Sequence, residues 1–169
     1  MKIIEIGKEG PYVCVIACLH GNEKIGYNVI NALIRKPIKG IRIKAIIANE
    51  QAMKKNVRFI DSDLNRSFPG SGKGNIEEKL AAKIIVKIID CEFIIDLHST
   101  YANTDDMIII TKKNAMELAK KVPLKNVVFM SKIMAHGKSL IDYSECGIPV
   151  SKRVLEALLN MLRRQMEQP

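Results

Sequence analysis

The sequence has few aromatic residues, no tryptophan and no long apolar run. Aromatic side chains make up only 5% of its 169 residues. No apolar stretch approaches the roughly 20 residues that a membrane-spanning helix needs. The first six residues include an acid, which is not typical of a secretory signal peptide. We therefore expect a protein that is not associated with a membrane.

The chain also lacks any Cys-x-x-Cys pair, although it has four cysteines. Their spacing argues against a closed structural zinc site, which needs paired thiolates. Cys14 and Cys18 lie in an apolar segment, where cysteine usually behaves as a small buried hydrophobe. The pattern predicts free thiols and a reducing, cytoplasmic location.

Acidic residues are outnumbered by basic ones, and the formal net charge is +9. A basic protein invites a nucleic-acid hypothesis. However, the lysines and arginines are spread along the chain, and few aromatic residues are available to stack on bases. A dispersed basic surface attracts small acidic molecules equally well. We expect no nucleic-acid partner.

What the sequence has in quantity is isoleucine in short runs, within a composition that is 47% hydrophobic. Such β-branched runs are typical of buried strands, and segments with helical spacing separate them. The pattern predicts one domain over residues 1–169, a three-layer α/β/α fold with a mixed, largely parallel central sheet. Residues 139–144 are predicted to form a strand and residues 151–166 a final helix.

Ionisable residues cluster where predicted strands end. His20 and Glu23 follow one strand, His98 ends another, and Glu145 follows the predicted strand over 139–144. Because sites in such sheets lie at the carboxyl ends of strands, we expect these side chains to share one edge.

His20, Glu23 and His98 together have the composition of a catalytic zinc site. The i, i+3 spacing of the first two residues brings both side chains to one side of a turn. Two imidazoles and one carboxylate are a common three-ligand set for zinc, with a fourth position left for water. A histidine at a strand end is more often an ordinary hydrogen-bonded residue, so this reading stays open. His136 is not included in the site.

The segment Asp63-Leu-Asn-Arg-Ser-Phe-Pro-Gly-Ser-Gly-Lys-Gly-Asn75 suggests a phosphate loop in its right half. A phosphate loop needs four residues between its two glycines and a Ser or Thr after the lysine. Here Gly70 and Gly72 are separated by one residue, and Lys73 is followed by glycine. We interpret this half as a turn that leads into a helix capped by Asn75.

Taken together, these residues resemble the zinc carboxypeptidase superfamily, and within it the succinylglutamate desuccinylase and aspartoacylase family. Five motifs occur in that family's order and extend over most of the chain. They are His20-Gly-Asn-Glu23, Arg58, Asp63-Leu-Asn65-Arg66, Asp96-Leu-His98 and Glu145-Cys-Gly147.

The resemblance implies a cofactor and a mechanism. His20, Glu23 and His98 would bind Zn²⁺. Glu145 would act as the general base on a metal-activated water and then protonate the leaving amine. Arg58 would stabilise the oxyanion.

The resemblance also implies how a substrate is held. Asn65 and Arg66 would bind a carboxylate of a small substrate, and Asp63 would support a ligand histidine. A guanidinium suits this task because it binds a carboxylate with two parallel hydrogen bonds. The implied function is hydrolysis of an N-acyl amino acid, a deacylase reaction.

Two departures from the family affect the choice of substrate. Longer relatives carry a C-terminal β-rich domain that we expect this chain to lack. Where some relatives have a further arginine, this chain offers His136 or Lys138. A metallocarboxypeptidase acting on short peptides, and a non-catalytic member that binds a metal or a metabolite, remain alternatives. The sequence leaves a homo-oligomer open.

Overall fold

A computed structural model describes residues 1–99, 107–111, 113, 116–119, 126–130, 138–143 and 147–150. The strands of this part are β1 (Lys2–Ile6), β2 (Tyr12–Ala17), β3 (Arg42–Ile47), β4 (Phe93–Leu97), β5 (Met107–Ile110), β6 (Asn126–Phe129) and β7 (Gly147–Val150). Its helices are α1 (Ile25–Arg35), α2 (Glu50–Lys55), α3 (Ile76–Ile88), α4 (Met116–Ala119) and α5 (Leu140–Tyr143), with a 3-10 turn at Leu64–Arg66.

The described strands form one sheet in the order β1-β3-β2-β4-β7-β5-β6. The β3–β2, β2–β4, β4–β7 and β5–β6 pairs are parallel. The β1–β3 and β7–β5 pairs are antiparallel. The predicted mixed, largely parallel sheet is therefore confirmed. Within the described residues, no helix has both the length and the apolar character needed to cross a bilayer.

Two apolar cores cover opposite faces of the sheet, because successive residues of a strand point to opposite sides. On β2, Val15 and Ala17 belong to the core that contains the buried face of α1. Cys14 and Ile16 belong to the second core, together with the buried residues of α3. The result is the three-layer arrangement that the alternation of apolar segments predicts.

Several predicted elements are confirmed closely, and one is wrong. The strand at Phe93–Leu97 is as predicted, and Asn75 caps α3 in a full capping box with Glu78. The predicted strand over residues 139–144 is instead the short helix α5. Ser139 starts it, because its backbone N and its Oγ both donate to Asp142 Oδ2, at 3.3 and 2.7 Å.

A later segment of the chain forms a strand of the sheet instead. Gly147–Val150, for which no strand was predicted, forms β7 between β4 and β5. The predicted last helix over residues 151–166 lies outside the described residues.

The close approach of α1 to the sheet depends on a glycine. A Cβ added at Gly26 would lie 2.7 Å from Ala17 Cβ and 3.0 Å from Leu97 Cβ. The first distance is shorter than real Cβ contacts, and the second is tighter than most of them. Gly26 therefore sets the distance between α1 and the ends of β2 and β4.

We expect Gly26→Ala to lower the free energy of unfolding in chemical denaturation. Overpacking costs about 1–3 kcal/mol, which outweighs the gain of roughly 1 kcal/mol from replacing a helical glycine by alanine. Asn28→Ala is the matched control, because Asn28 is exposed on the same helix and its replacement should be neutral or slightly stabilising. Equal stability of Gly26→Ala and the wild-type protein would show that α1 can move outward at no cost.

Candidate metal and substrate site

The register of β2 and β4 brings two ionisable segments together. Ala17 at the end of β2 pairs with Leu97 at the end of β4. His98 follows Leu97 directly, and His20 lies three residues after Ala17. Since the two strands are parallel neighbours, both segments leave the sheet at the same edge.

Glu23 lies between the two histidines. Its Oε1 is 2.7 Å from His20 Nδ1, and its Oε2 is 3.1 Å from His98 Nδ1. One ligand atom from each of these residues lies within 4.8 Å of the others. His20 and Glu23 are buried and His98 is partly buried, so most of the cluster is shielded from solvent near the carboxyl ends of β2 and β4.

The outer nitrogen of each ring contacts another carboxylate. His20 Nε2 donates to Asp63 Oδ1 at 3.0 Å, and His98 Nε2 donates to Asp96 Oδ2 at 2.8 Å. Each Nδ1 therefore faces Glu23. Metal-binding histidines are commonly oriented in this way by a carboxylate on the second nitrogen. Two imidazole nitrogens and a carboxylate oxygen fit Zn²⁺ as a donor set.

Proton affinities in the cluster follow from its charges. Burial would lower the pKa of His98, but the charge and hydrogen bond of Asp96 and the hydrogen bond of Glu23 raise it to about 10. Burial also opposes the rise in the pKa of His20, which Asp63 and Glu23 nevertheless produce. Burial would raise the pKa of Glu23, yet hydrogen bonds from both histidines hold it well below its usual range.

The turn at Leu64–Arg66 is attached to this cluster through Asp63. The Asp63 carboxylate accepts Asn65 N at 2.9 Å and so caps the turn. It also accepts Arg58 Nη2 at 2.9 Å. Arg58 Nη1 lies 3.6 Å from Glu23 Oε1, and the arginine side chain is half exposed. The guanidinium is therefore at the exposed rim of the cluster, paired with Asp63.

Asn65 points its amide towards His98. Its Oδ1 accepts the backbone N–H of Leu140 at 2.9 Å, which leaves Nδ2 3.4 Å from His98 Nε2. Arg66 and Lys138 line an adjoining cleft of about 380 Å³. The cleft is next to the cluster because Asp63 lines the cleft and also contacts His20.

The structure thus places His20, Glu23, His98, Arg58 and Asn65 around one centre, with Arg66 at the adjoining cleft. Glu145 and His136 lie outside the described residues, so their predicted places stay predictions. Sequence reasoning used Asp96 only as support for His98 as a ligand, and it gave no role to Ser99, whose backbone N donates to Glu23 Oε2 at 2.8 Å. The i, i+2 spacing of Asp96 and His98 is the signal that could have predicted their contact, since residues at this spacing along a strand share a face.

A sheet of this kind with such a cluster at its carboxyl edge is a zinc carboxypeptidase-like fold. The family model of the succinylglutamate desuccinylase/aspartoacylase catalytic domain matches residues 9–150. The chain belongs to this family, as the sequence motifs predicted.

Curated relatives agree with this assignment. A probable aspartoacylase of Prochlorococcus marinus (strain MIT 9301) is 29% identical over 82% of this chain and 52% of its own length. An N-acyl-aromatic-L-amino acid amidohydrolase (carboxylate-forming) of Xenopus tropicalis is 32% identical over 68% of this chain and 43% of its own length. The chain spans about half the length of the curated relatives it matches.

Solved structures show the same fold at low sequence identity. A succinylglutamate desuccinylase/aspartoacylase from Rhodobacter sphaeroides has a TM-score of 0.75 at 18% identity, over 96% of this chain and 58% of that one. Murine aminoacylase 3 has a TM-score of 0.72 at 18% identity, over 93% of this chain and 66% of that one.

We expect zinc affinity to weaken as the pH falls from 8 to 6. The pKa of His98 is about 10 in the metal-free protein. Both ring nitrogens of His98 therefore carry protons at neutral pH, and zinc must displace one of these protons. Each displaced proton makes the apparent dissociation constant rise about tenfold for each pH unit lost. Calorimetric titrations in two buffers of different ionisation enthalpy measure the protons released. An affinity independent of pH would contradict the proposed ligand atoms.

Proposed function

We propose that the chain is a zinc-dependent hydrolase of amide bonds that acts on N-acyl amino acids. The observation that carries the proposal is the His20–Glu23–His98 cluster beside a cleft that contains a guanidinium. The names of the two curated relatives, an aspartoacylase and an amidohydrolase, support the same reaction class.

His20, Glu23 and His98 would hold the zinc, with Asp63 and Asp96 keeping the two rings in orientation. Zinc bound there supplies Lewis acidity, which lowers the pKa of a water molecule and polarises an amide carbonyl. The carboxylates behind the rings make the imidazoles better ligands, since each accepts the outer N–H.

The exposed arginines would bind and stabilise the negatively charged groups of the substrate. Arg58 presents Nη1 at the rim of the cluster, where it stabilises the oxygen of a carbonyl under attack. Arg66 in the cleft binds the free carboxylate, and Asn65 Nδ2 adds a second donor. With this division of roles, the scissile amide would lie between the cluster and the cleft.

Glu145 remains our proposed general base. It would take a proton from the attacking water and deliver it to the leaving nitrogen, which converts a poor leaving group into an amine. The proposal for Glu145 depends on the family motif Glu145-Cys-Gly147 and not on a described contact.

One observation favours a second candidate, the hydrolysis of short peptides. The cell shape determinant Csd4 from Helicobacter pylori, solved with a bound tripeptide, has a TM-score of 0.74 at 17% identity over 96% of this chain. A peptide with a free C-terminus presents the same amide and carboxylate as an N-acyl amino acid. Substrate assays should therefore include dipeptides.

We expect Glu145→Gln to keep zinc and to lose turnover. General-base catalysis contributes about 10²–10⁴-fold, so kcat for an N-acetyl amino acid should fall by at least about 100-fold. Amine release by the zinc-loaded protein measures turnover, and elemental analysis measures the zinc. N-acetylaspartate and an N-acetyl aromatic amino acid form the first pair of substrates.

The matched control substrate carries a carboxamide in place of the free carboxylate, and we expect it not to be hydrolysed. Wild-type turnover in the Glu145→Gln variant would remove Glu145 from the mechanism. A protein that binds zinc and the acyl amino acid but releases no amine would be a non-catalytic member of the family.

A further inference from the structure

A fully buried carboxylate lies behind the site and has no role in the proposed reaction. Glu77 stands in the first turn of α3 and has no exposed surface. Its Oε1 accepts Ile60 N at 2.8 Å and Asn49 Nδ2 at 3.0 Å. Its Oε2 accepts Asp61 N at 3.0 Å and Ser62 N at 3.2 Å.

No ion pair in the described part of the chain includes Glu77. Its charge is balanced instead by four N–H donors and by the N-terminal end of α3, where the helix dipole favours a negative group. These donors hold the pKa of Glu77 below its usual range, although burial opposes them. An anion held in this way restrains the groups that surround it, because moving away from it would leave buried N–H donors without their acceptor.

Three of the four donors belong to the residues that immediately precede Asp63. Asp63 in turn contacts His20, Arg58 and the turn at Leu64–Arg66. The fourth donor, Asn49, follows β3, and its backbone N donates to Cys18 O at 2.9 Å. Glu77 therefore joins the segment before Asp63 to the segment that carries His20.

We propose that Glu77 is a positioning residue that sets the affinity of the site for zinc by holding Asp63 against His20. The proposal rests on the metal site of the proposed function. It adds that the site is supported from behind, by a side chain that contacts none of the three metal ligands and that reaches the lining of the cleft through the backbone N of Ser62.

Glutamine is the informative replacement for Glu77. Each oxygen of the carboxylate accepts two hydrogen bonds, and the amide of glutamine offers N–H groups on one side. In Glu77→Gln, the two N–H donors that contact one carboxylate oxygen would face the N–H groups of the glutamine amide and would lose their acceptor. The shape of the side chain is retained, and the hydrogen bonds to one of the two oxygens are lost. The contacts of Asp61 Oδ2 with Ile76 N and of Ser62 Oγ with Asn75 Nδ2 remain, so the segment before Asp63 is loosened and not released.

The test compares Glu77→Gln with Glu78→Gln by competition for zinc against a chelator, in protein shown to be folded by circular dichroism. Both variants remove one negative charge from the first turn of α3, and glutamine still serves the capping box at position 78. We expect zinc affinity to fall about 10–100-fold in Glu77→Gln, as on loss of a carboxylate that orients a ligand. We expect it to change by less than about twofold in Glu78→Gln.

A folded Glu77→Gln protein with wild-type zinc affinity would overturn the proposal, even if its melting temperature fell. If Glu77→Gln does not fold, Glu77→Asp is the second variant, because it keeps the charge and loses reach. It should bind zinc more weakly than the wild-type protein, and equal affinity would overturn the proposal.

Hydrogen exchange in the metal-free protein separates this proposal from the proposed function. In Glu77→Gln the amide of Ile60, or those of Asp61 and Ser62, should exchange faster than in the wild-type protein, depending on which oxygen the amide nitrogen replaces. Unchanged exchange would overturn the positioning role whatever the zinc result. A wild-type protein that binds no zinc would overturn both the proposed function and the effect on affinity.

Discussion

The parallel pairing of β2 with β4 is the constraint on which the site depends. It aligns Ala17 with Leu97, so that the chain leaves both strands at one edge of the sheet. Glu23 can then contact His20 and His98 at once, although 75 positions separate Glu23 from His98. A shift of this pairing by one residue would turn the side chains of one strand to the other face. Gly26 adds a second constraint, because it keeps α1 close to these strand ends.

Two buried carboxylates and one partly buried carboxylate hold the site together, and each is balanced in a different way. Glu23 is balanced by imidazole protons, which a metal ion can replace. Asp63 is balanced by Arg58 and His20, and Glu77 by N–H donors. Removing the partners of Glu23 or Glu77 leaves a buried charge, which costs about 3–5 kcal/mol. Because each carboxylate has such local partners, several of them can lie close together near one edge of the sheet, in a protein whose net charge is +9.

Much of the fold could be predicted from the sequence, because strands of β-branched residues and a capped helix such as α3 carry local signals. Two later elements were not predicted. The start of α5 depends on the contact of Ser139 with Asp142, which an apolar pattern does not reveal, and β7 depends on pairing with β4 and β5. The cluster of His20, Glu23 and His98 was predictable from strand ends and from the family motifs. The contact of Glu77 with the segment before Asp63 was not, because a first-turn glutamate is ordinary in any helix.

X-ray absorption at the zinc edge of the reconstituted wild-type protein tests the central claim most directly. The account predicts one zinc per chain with only nitrogen and oxygen neighbours, at about 2.0–2.1 Å, and with the scattering pattern of two imidazoles. Replacing His98 by alanine should remove one imidazole or the metal itself. Sulfur neighbours at about 2.3 Å, or no zinc retained after free ion is removed, would contradict the account.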